Sequence, residues 1–289
     1  MKIKILIPIY NDWQSASKLI DEINNLSISS EYEISTIIIN DASNHDRLEE
    51  NKDLSNIHSC KIINMKKNQG HARCIAVGLK YIFEKEDFDY VIPMDGDGED
   101  RPIEIKDFID QINTSNGKPI VGLRVKRSES LLFQICYKIH KAITFVFTGK
   151  LIKFGNFTCL PKSTIEKMVN EKATWNSFSG SLTKVEQELK TIPSIRGTRY
   201  FGPSKMSFYN LIKHSLSIIS VFRKTFLIRS ALFIVFYILL IKSNASIITS
   251  IPLVLLLITV YAISNLALRE NIDEFDHSLS DIDNIDQIK

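Results

Sequence analysis

The chain has 289 residues, 44% of them hydrophobic, and a formal net charge of +3; this is enough apolar material for a folded core and excludes wholesale disorder. Its length accommodates one or two domains. The four cysteines (Cys60, Cys74, Cys136 and Cys159) are scattered, which argues against a disulfide framework and against a paired-cysteine zinc site.

The first half of the chain alternates predicted strands with predicted helices. Ile-rich alternating runs indicate strands, and apolar residues three or four positions apart indicate helices. The predicted strands are Lys2–Tyr10, Ile34–Asn40, Cys60–Met65, Asp89–Met94 and Pro119–Val125, and the predicted helices are Asp12–Leu26 and Asn68–Phe83. This alternation predicts an α/β fold with a mostly parallel sheet. Polar motifs follow three of the strands, so we expect one site at the carboxyl ends of the sheet.

The apolar part of the N-terminal run MKIKILIPIYND is too short for a signal peptide, and no small-residue cleavage pattern follows it. We therefore expect the catalytic portion to lie in the cytoplasm. After Val125 the pattern changes. Leu131–Phe147 predicts an amphipathic helix that is either buried or lies on a membrane surface, and the more basic Ser207–Lys224 favours the membrane surface.

Two apolar runs, Phe226–Ile241 and Ile247–Leu268, predict a hairpin of membrane-spanning helices. A buried helical hairpin in a soluble protein is the alternative. No carboxylate occurs between Lys190 and Arg269, and such a basic stretch beside apolar runs is typical of a surface that faces anionic lipid or phosphate. The positive-inside rule places both chain ends in the cytoplasm.

The charge reverses at the end of the chain. Residues 269–289 hold seven acidic and two basic side chains, and we expect this segment to be solvated and mobile. The predicted divisions are 1–206 for the catalytic domain, 207–224 for the juxtamembrane helix, 225–268 for the two membrane helices and 269–289 for an acidic cytoplasmic tail.

Five carboxylates crowd into ten positions just after the fourth predicted strand: Asp95, Asp97, Glu99, Asp100 and Glu104. Like charges this close repel one another, so a cation is expected opposite them. An Asp-x-Asp pair at a strand end suits Mg²⁺ or Mn²⁺, with a bound diphosphate supplying further oxygens. A calcium loop of the EF-hand type is excluded because Asp100 occupies the position that requires glycine. A solvated acidic turn is the other interpretation.

Further motifs occur in a recognisable order. The matching positions are Pro8, Tyr10 and Asn11 in P-x-Y-N; Asp41 and Ser43 in a D-D-G-S-like turn; Asn68, Gly70 and Gly78 in a helix start; Asp95, Asp97, Asp100 and Pro102 in the acidic loop; Gly122 and Arg124 in G-x-R; and Arg199, Gly202, Ser204 and Lys205 in R-x-x-G-x-S-K. In this pattern the chain resembles the family-2 glycosyltransferases with the Rossmann-like GT-A fold. More narrowly, it resembles the membrane-anchored polyprenyl-phosphate glycosyltransferases of the dolichyl-phosphate mannose synthase-like group.

The resemblance implies roles for the residues that match. Pro8, Tyr10, Asn11, Asp41, Gly70 and Asp95 would bind a nucleotide-sugar donor, UDP- or GDP-linked. Asp95 and Asp97 would hold Mg²⁺ or Mn²⁺, and Asp95, Asp97 and Asp100 would form the catalytic set. Ordinary strand packing for Pro8 and Tyr10, and a plain turn for Gly70, are the alternatives. His71 and Arg73 are expected to be exposed.

The acceptor implied is a membrane polyprenyl phosphate in cell-envelope glycan synthesis, and its phosphate would be bound by Arg124, Arg127, Arg199, Ser204 and Lys205. The expected reaction is the inverting transfer of one sugar on the cytoplasmic face of an inner or plasma membrane. No nucleic acid partner is expected, and the hairpin leaves association of copies open. The family often has G-D-F-R where this chain has Gly155, Asn156, Phe157 and Thr158. Another lipid or glycan acceptor, or a non-catalytic membrane scaffold, therefore remains an alternative.

Overall fold

The computed structural model describes residues 1–45, 53–126, 141–203 and 208–289. Three of the predicted acceptor-phosphate residues, Arg127, Ser204 and Lys205, lie outside the described residues. So does most of the predicted amphipathic helix Leu131–Phe147, of which the described part is the helical stretch 141–148.

The elements alternate as predicted in the first half of the chain. The strands are β1 (Lys2–Ile9), β2 (Glu33–Asn40), β3 (Ser59–Met65), β4 (Tyr90–Pro93), β5 (Ile120–Lys126), β6 (Phe154–Pro161), β7 (Lys190–Ile195) and β8 (Ile282–Gln287). The helices are α1 (Trp13–Asn24), α2 (His71–Lys85), α3 (Glu104–Ile112), α4 (141–148), α5 (Lys162–Val169), α6 (Phe178–Val185), α7 (Phe208–Ser220), α8 (Arg223–Ile241), α9 (Ile247–Ala267) and α10 (Ile272–Asp276).

The strands form one sheet in the order β7-β5-β6-β4-β1-β2-β3-β8. Its centre is parallel, because β1 pairs with both β2 and β4 and β2 pairs with β3. Strand β6 runs antiparallel to β4 and β5, and β8 runs antiparallel to β3. The prediction of an α/β fold is confirmed, and the sheet is mixed rather than uniformly parallel.

The two faces of the sheet are covered by different helices. Along β1 the side chains of Ile5 and Ile7 pack with α1 and α3, whereas Leu6 between them packs with α2, as the two-residue period of a strand requires. Gly78 lets α2 lie close to β1, since a Cβ there would come within 2.3 Å of Leu6 Cδ1. Burial on both faces fixes the register of β1, and that register sets the position of the polar residues after Ile9.

Helices α8 and α9 are long and apolar enough to cross a membrane. Their large side chains are mostly exposed in the isolated chain, including Leu232, Phe236 and Leu255. A buried hairpin in a soluble protein would cover such side chains, so this exposure favours a lipid environment. Ser246 caps α9 with a reciprocal pair of hydrogen bonds to Thr249, which accounts for the sharp turn between the two helices.

Helix α7 connects this hairpin to the catalytic domain. Its C-terminal part is buried, and Ile219 packs with Phe226 and Ile263 of the two apolar helices. On the other side, Asn176 Nδ2 donates a 2.8 Å hydrogen bond to Ser220 Oγ. The N-terminal part of α7 exposes Tyr209 and Lys213. The helix is thus anchored at one end and amphipathic at the other.

The expectation of a solvated and mobile C-terminal segment is wrong. Residues 272–287, which we call the C-terminal strap, form α10, a short 3-10 turn and β8. Strand β8 extends the sheet beside β3, and Phe275 of α10 is 0% exposed and stacks on Trp175 with ring centroids 5.6 Å apart. The acidic composition suggested solvation, but these acids pair with lysines and arginines of the catalytic domain, as Asp276 does with Lys80 at 2.8 Å.

A substitution at Phe275 tests this attachment. Phe275→Ala should destabilise the catalytic domain by about 3–5 kcal/mol, because it removes a fully buried ring from a packed core. The check is the thermal unfolding of the full chain in detergent, followed by near-ultraviolet circular dichroism. Ile285→Ala is the matched control, since Ile285 belongs to β8 but is 43% exposed. Equal unfolding temperatures for the two variants would mean that the strap contributes little to stability.

Candidate active site

Polar residues from three neighbouring strands meet at one edge of the sheet. Asn11 and Asp12 follow β1, Asp41 follows β2, and the acidic loop from Asp95 to Asp100 follows β4. The three strands are parallel and adjacent, so their carboxyl ends lie together. The predicted convergence of these motifs on one site is therefore observed in the structure.

Asp95 is a half-buried acid of the loop. Its Oδ1 is buried and accepts no hydrogen bond of good geometry from the described residues, although His71 Nε2 lies 3.3 Å away. Asn156 Nδ2 lies 2.8 Å from the same His71 nitrogen. Burial opposes ionisation of Asp95, but the contact with His71 and the charge of Arg124 hold its pKa below the usual range. Asp95 is therefore an ionised carboxylate whose Oδ1 makes a long contact with His71.

Asp100 stabilises the conformation of the loop itself. It is 5% exposed, and its Oδ2 accepts a 2.9 Å hydrogen bond from the backbone N–H of Asp95. Burial, followed by the nearby charge of Asp95, raises the pKa of Asp100 above its ordinary value. This position assigns Asp100 to holding the turn rather than to contact with a ligand.

Asp97 lies at the mouth of the loop and is paired with an arginine from a distant segment. Arg199 Nη1 lies 2.6 Å from Asp97 Oδ2, and Arg199 Nη2 contacts Asp12. Burial and the charge of Asp95 raise the pKa of Asp97 to about 6, while Arg199 opposes that shift. Arg199 was predicted to bind the acceptor phosphate. In the structure it balances the acidic loop, together with Arg196 on Glu99.

Glu104, the last acid of the cluster, makes its contacts outside the loop from Asp95 to Asp100. Glu104 is buried and accepts hydrogen bonds from the Arg101 guanidinium, the Ser194 hydroxyl and the Ile195 backbone N–H. These contacts tie the start of α3 to β7. Glu104 therefore serves the fold.

Arg124 is the predicted acceptor residue that the structure places beside the acids. It lies at the end of β5, close to Gly155. Its positive charge lowers the pKa of both Asp95 and Asp100. Arg124 and Arg199 thus both lie near carboxylates of the acidic loop.

On the predicted donor side, Asp41 is buried and has a structural task. Its two carboxylate oxygens accept hydrogen bonds from the backbone N–H groups of Gln69 and Gly70, at 2.6 and 2.9 Å. Gly70 has φ of +89°, a conformation that favours glycine. The N–H group of Gly70 is therefore occupied by Asp41 and is not open to a phosphate, which differs from the expected free helix terminus.

Asn11 joins two of the converging loops. Its backbone N–H donates to Ser43 Oγ, and its side-chain oxygen accepts from the N–H of Asn44, both at 2.8 Å. Tyr10 beside it is 42% exposed at the edge of the sheet, whereas Pro8 is buried inside β1. Tyr10 is thus accessible to a ligand, and Pro8 occupies the position that ordinary strand packing gives it.

Two observations fit a divalent cation at Asp95 and Asp97. The buried Oδ1 of Asp95, 3.3 Å from His71 Nε2, is a suitable hard ligand, and Asp97 is a second carboxylate whose pKa is raised first by burial and then by the charge of Asp95. Among the described residues, no set of three or more His, Cys, Asp or Glu side chains could hold a metal by itself. Further ligands must then come from a bound molecule, and a diphosphate supplies oxygens of the right kind.

The raised pKa of Asp97 gives a pH-dependent stability. Because its pKa in the folded protein exceeds the ordinary value of 3.8, the metal-free protein loses stability as pH rises from that value through about 6. In chelator, Asp97→Asn should therefore exceed the wild-type melting temperature at pH 7.5, and by a smaller margin at pH 5. Mn²⁺ should stabilise the wild type more at pH 7.5 than at pH 5. A wild type that gains on the variant as pH rises would contradict the raised pKa of Asp97.

The sequence did not identify every participant. Asp12 was predicted only as the first residue of a helix, and its contact with Arg199 joins residues 187 positions apart. His71 is exposed as expected, but its ring also lies between Asp95 and Asn156, a contact that was not predicted. Tyr200 packs against Gly98, whose φ of +88° brings the loop under the ring. A local signal existed for Asp12 alone, as an acid directly after the P-x-Y-N motif.

This geometry can be compared with known proteins. The family model described as "Glycosyl transferase family 2" matches residues 4–173, which includes the sheet edge and the acidic loop. The chain belongs to glycosyl transferase family 2. The predicted family is thereby confirmed.

The curated relatives of this family 2 glycosyltransferase include two undecaprenyl-phosphate 4-deoxy-4-formamido-L-arabinose transferases. The one from Proteus mirabilis (strain HI4320) is 26% identical over 226 residues, and the one from Klebsiella pneumoniae (strain 342) is 25% identical over 228 residues. Each alignment covers 73% of this chain and 64% of the relative. The chain thus spans less than two thirds of the length of these relatives.

Solved structures confirm the GT-A fold. Glucosyl-3-phosphoglycerate synthase from Mycobacterium tuberculosis, in complex with Mn²⁺, UDP and phosphoglyceric acid, superposes with a TM-score of 0.55 and 11% identity over 78% of each chain. Its complex with Mn²⁺, UDP and glucosyl-3-phosphoglycerate gives 0.53 and 12%, covering 78% of this chain and 79% of that one. At this identity the likeness concerns the fold alone.

Proposed function

We propose that this family 2 glycosyltransferase moves a single sugar, with inversion, from a nucleotide-sugar donor to a membrane polyprenyl phosphate, undecaprenyl phosphate in particular. The observation that carries the proposal is the acidic loop: two carboxylates, Asp95 and Asp97, at the carboxyl edge of the sheet, with Arg124 and Arg199 beside them. The names of the curated relatives support the choice of acceptor.

Asp95 and Asp97 would hold Mg²⁺ or Mn²⁺ together with the donor diphosphate. Such an ion, when bound, neutralises the charge that develops on the departing nucleoside diphosphate. Asp100 keeps the Asp95 backbone in place, and His71 with Asn156 orients the Asp95 side chain. Asn156 stands where the family often has an acid. Its contact with His71 supports an orienting role at this position, which an amide can fulfil.

The acceptor phosphate oxygen forms the new bond to the anomeric carbon, while the bond from that carbon to the β-phosphate oxygen breaks. The phosphate is already anionic, so the step needs positioning more than a general base. Arg124 and Arg199 would bind it through their guanidinium groups. Arg199 would first have to leave Asp97, because a cation and a guanidinium compete for the same carboxylate oxygen.

The membrane topology follows from the two ends of the apolar hairpin. The chain enters α8 from α7, which packs on the catalytic domain, and after α9 it returns to the same sheet as β8. If α8 and α9 cross a bilayer, they do so as a pair, which places both ends on one side. We propose that this side is the cytoplasmic face of an inner or plasma membrane, in agreement with the basic residues around Arg223 and Arg269.

A donor panel on membranes tests this function. Membranes that contain the full chain are incubated with undecaprenyl phosphate and radiolabelled UDP- or GDP-linked sugars, with Mn²⁺, Mg²⁺ or EDTA. We expect a lipid product with one donor class, no product in EDTA, and release of the label by mild acid. An acid-stable product would indicate another lipid acceptor. Absence of turnover with every donor would indicate a non-catalytic scaffold.

A further inference from the structure

The C-terminal strap contacts the loop that lies between β3 and α2. The carbonyl oxygen of Asp281 accepts a 2.8 Å hydrogen bond from the backbone N–H of Lys66, and Asp281 Oδ2 accepts a 2.7 Å hydrogen bond from Gln69 Nε2. Lys66 Nζ in turn donates to the carbonyl oxygen of Ser280 at 2.8 Å. The strap thus holds this loop from outside the sheet.

The same loop is held from the inside by the predicted donor residue Asp41. Asp41 accepts the backbone N–H groups of Gln69 and Gly70, and Asn68 Nδ2 donates to the Asp41 carbonyl oxygen at 3.2 Å. Gln69 therefore contacts Asp41 through its backbone and Asp281 through its side chain. A single residue, Gln69, thus connects Asp281 to Asp41.

A second chain of hydrogen bonds links the strap to the donor side. Asp286 Oδ2 accepts from Asn64 Nδ2 at 2.9 Å, and Asn64 Oδ1 accepts from Asn40 Nδ2 at 2.8 Å. Asn40 Oδ1 accepts from the backbone N–H of Ser43 at 3.0 Å, and Ser43 Oγ accepts from the N–H of Asn11. This route runs across β8, β3 and β2 to the loop that contains Asn11.

The strap also fixes the first turn of α2, which carries His71. Glu274 Oε2 lies 3.0 Å from Arg73 Nη2 and accepts a 3.0 Å hydrogen bond from Trp175 Nε1. The Arg73 guanidinium lies over the Trp175 ring, 4.7 Å from its centroid. Three parts of the site therefore depend on residues that follow the apolar hairpin: the loop at Gln69, the loop at Ser43 and the start of α2.

We propose that the C-terminal strap is a positioning element of the donor site, with Asp281 as the residue through which it orients Gln69 and Asp41. This inference rests on the proposed function in taking Asp41 and its loop as the donor side. It makes the segment after the second apolar helix a part of donor binding, so that the chain beyond the hairpin contributes to affinity for the nucleotide.

The test compares Asp281→Ala, Asp281→Asn and Asp283→Ala in the full chain. Asparagine keeps an oxygen that can accept from Gln69, whereas alanine does not. Asp283 is an exposed acid two positions further along, for which the described residues show no hydrogen bond or ion pair, so its removal controls for lost charge. All three variants are first checked for an unchanged melting temperature.

The first readout needs no ligand. Hydrogen–deuterium exchange of peptides covering residues 66–73 should rise in Asp281→Ala and stay at the wild-type level in the other two variants, because only the alanine removes the side-chain hydrogen bond to Gln69. Wild-type exchange in Asp281→Ala would overturn the proposal. If that variant melts early, the comparison moves to Gln69→Ala, which removes the same hydrogen bond from the other side.

The second readout is the binding of UDP in the presence of Mn²⁺. Asp281→Ala should raise the Kd by about three- to tenfold, the effect of one lost hydrogen bond, with Asp281→Asn and Asp283→Ala close to wild type. In turnover the same change should appear in KM for the donor and not in kcat. Unaltered UDP affinity in Asp281→Ala would overturn the positioning role. Failure of the wild type to bind UDP or GDP would instead count against the proposed function, and the exchange result would still decide the role of the strap.

Discussion

Asp97→Asn should lower product formation by at least about 10²–10³-fold. The substitution keeps the size of the side chain and removes the charge that a divalent cation requires at the mouth of the acidic loop. Two other acids of the cluster are committed elsewhere, since Asp100 is directed at the Asp95 backbone and Glu104 at β7.

Two measurements separate this effect from misfolding. Membrane insertion should match the wild type and the melting temperature should be no lower, whereas binding of Mn²⁺ should be lost. Asp110→Asn is the matched control, because Asp110 is an exposed acid on α3 and the chemical change is the same. Wild-type turnover in Asp97→Asn would refute the metal role of this residue.

Arg199→Ala should have two opposite effects. Without the donor, the variant should bind Mn²⁺ more tightly than the wild type, because the guanidinium that lies 2.6 Å from Asp97 Oδ2 no longer competes with the cation. Its rate of product formation should nevertheless fall by about 10²-fold, because the same guanidinium is proposed to bind the acceptor phosphate. A residue with a purely structural role would not separate metal affinity from turnover in this way.

Arg199→Lys is the informative comparison. Lysine keeps the charge but cannot bridge Asp12 and Asp97 with two nitrogens of one planar group. We expect a metal affinity between those of the wild type and the alanine variant, and turnover reduced less than in the alanine variant. Weaker Mn²⁺ binding in Arg199→Ala would show that Arg199 supports the cation instead of competing with it.

The central part of the fold was predictable because its signals are local. In β1 and β2 nearly every residue is buried, so Ile-rich runs of strand length mark them clearly, and the polar motifs follow directly at their carboxyl ends. The acidic loop was found for the same reason. Its residues are adjacent in sequence, and like charges at that density are seldom tolerated without a function.

Strands β6, β7 and β8 were missed because their evidence is not local. Strand β7 carries Pro193 on a short run, and β8 has the composition of a solvated acidic segment. What makes β8 a strand is its partner β3, some 220 residues earlier, together with contacts such as that of Asn64 with Asp286. Composition alone could not show that these acids have basic and amide partners.

The charge balance of the site was predicted only in part for a similar reason. A divalent cation was expected opposite the acidic loop. The positive groups that the chain itself places there are arginine side chains. The pairing of Arg199 with Asp12 and Asp97 depends on the return of the chain after β7, which no local pattern encodes. Likewise, the orienting role proposed for Asn156 comes from its contact with His71. Its position in a motif that departs from the family pattern did not indicate that role.

The most direct test is a calorimetric titration of UDP into the full chain in detergent, once with saturating Mn²⁺ and once with EDTA, with GDP as the second nucleotide. Binding of one nucleotide that depends on Mn²⁺ is the predicted result. Equal affinity in EDTA, or no heat with either nucleotide in Mn²⁺, would contradict a diphosphate site formed by a cation on Asp95 and Asp97.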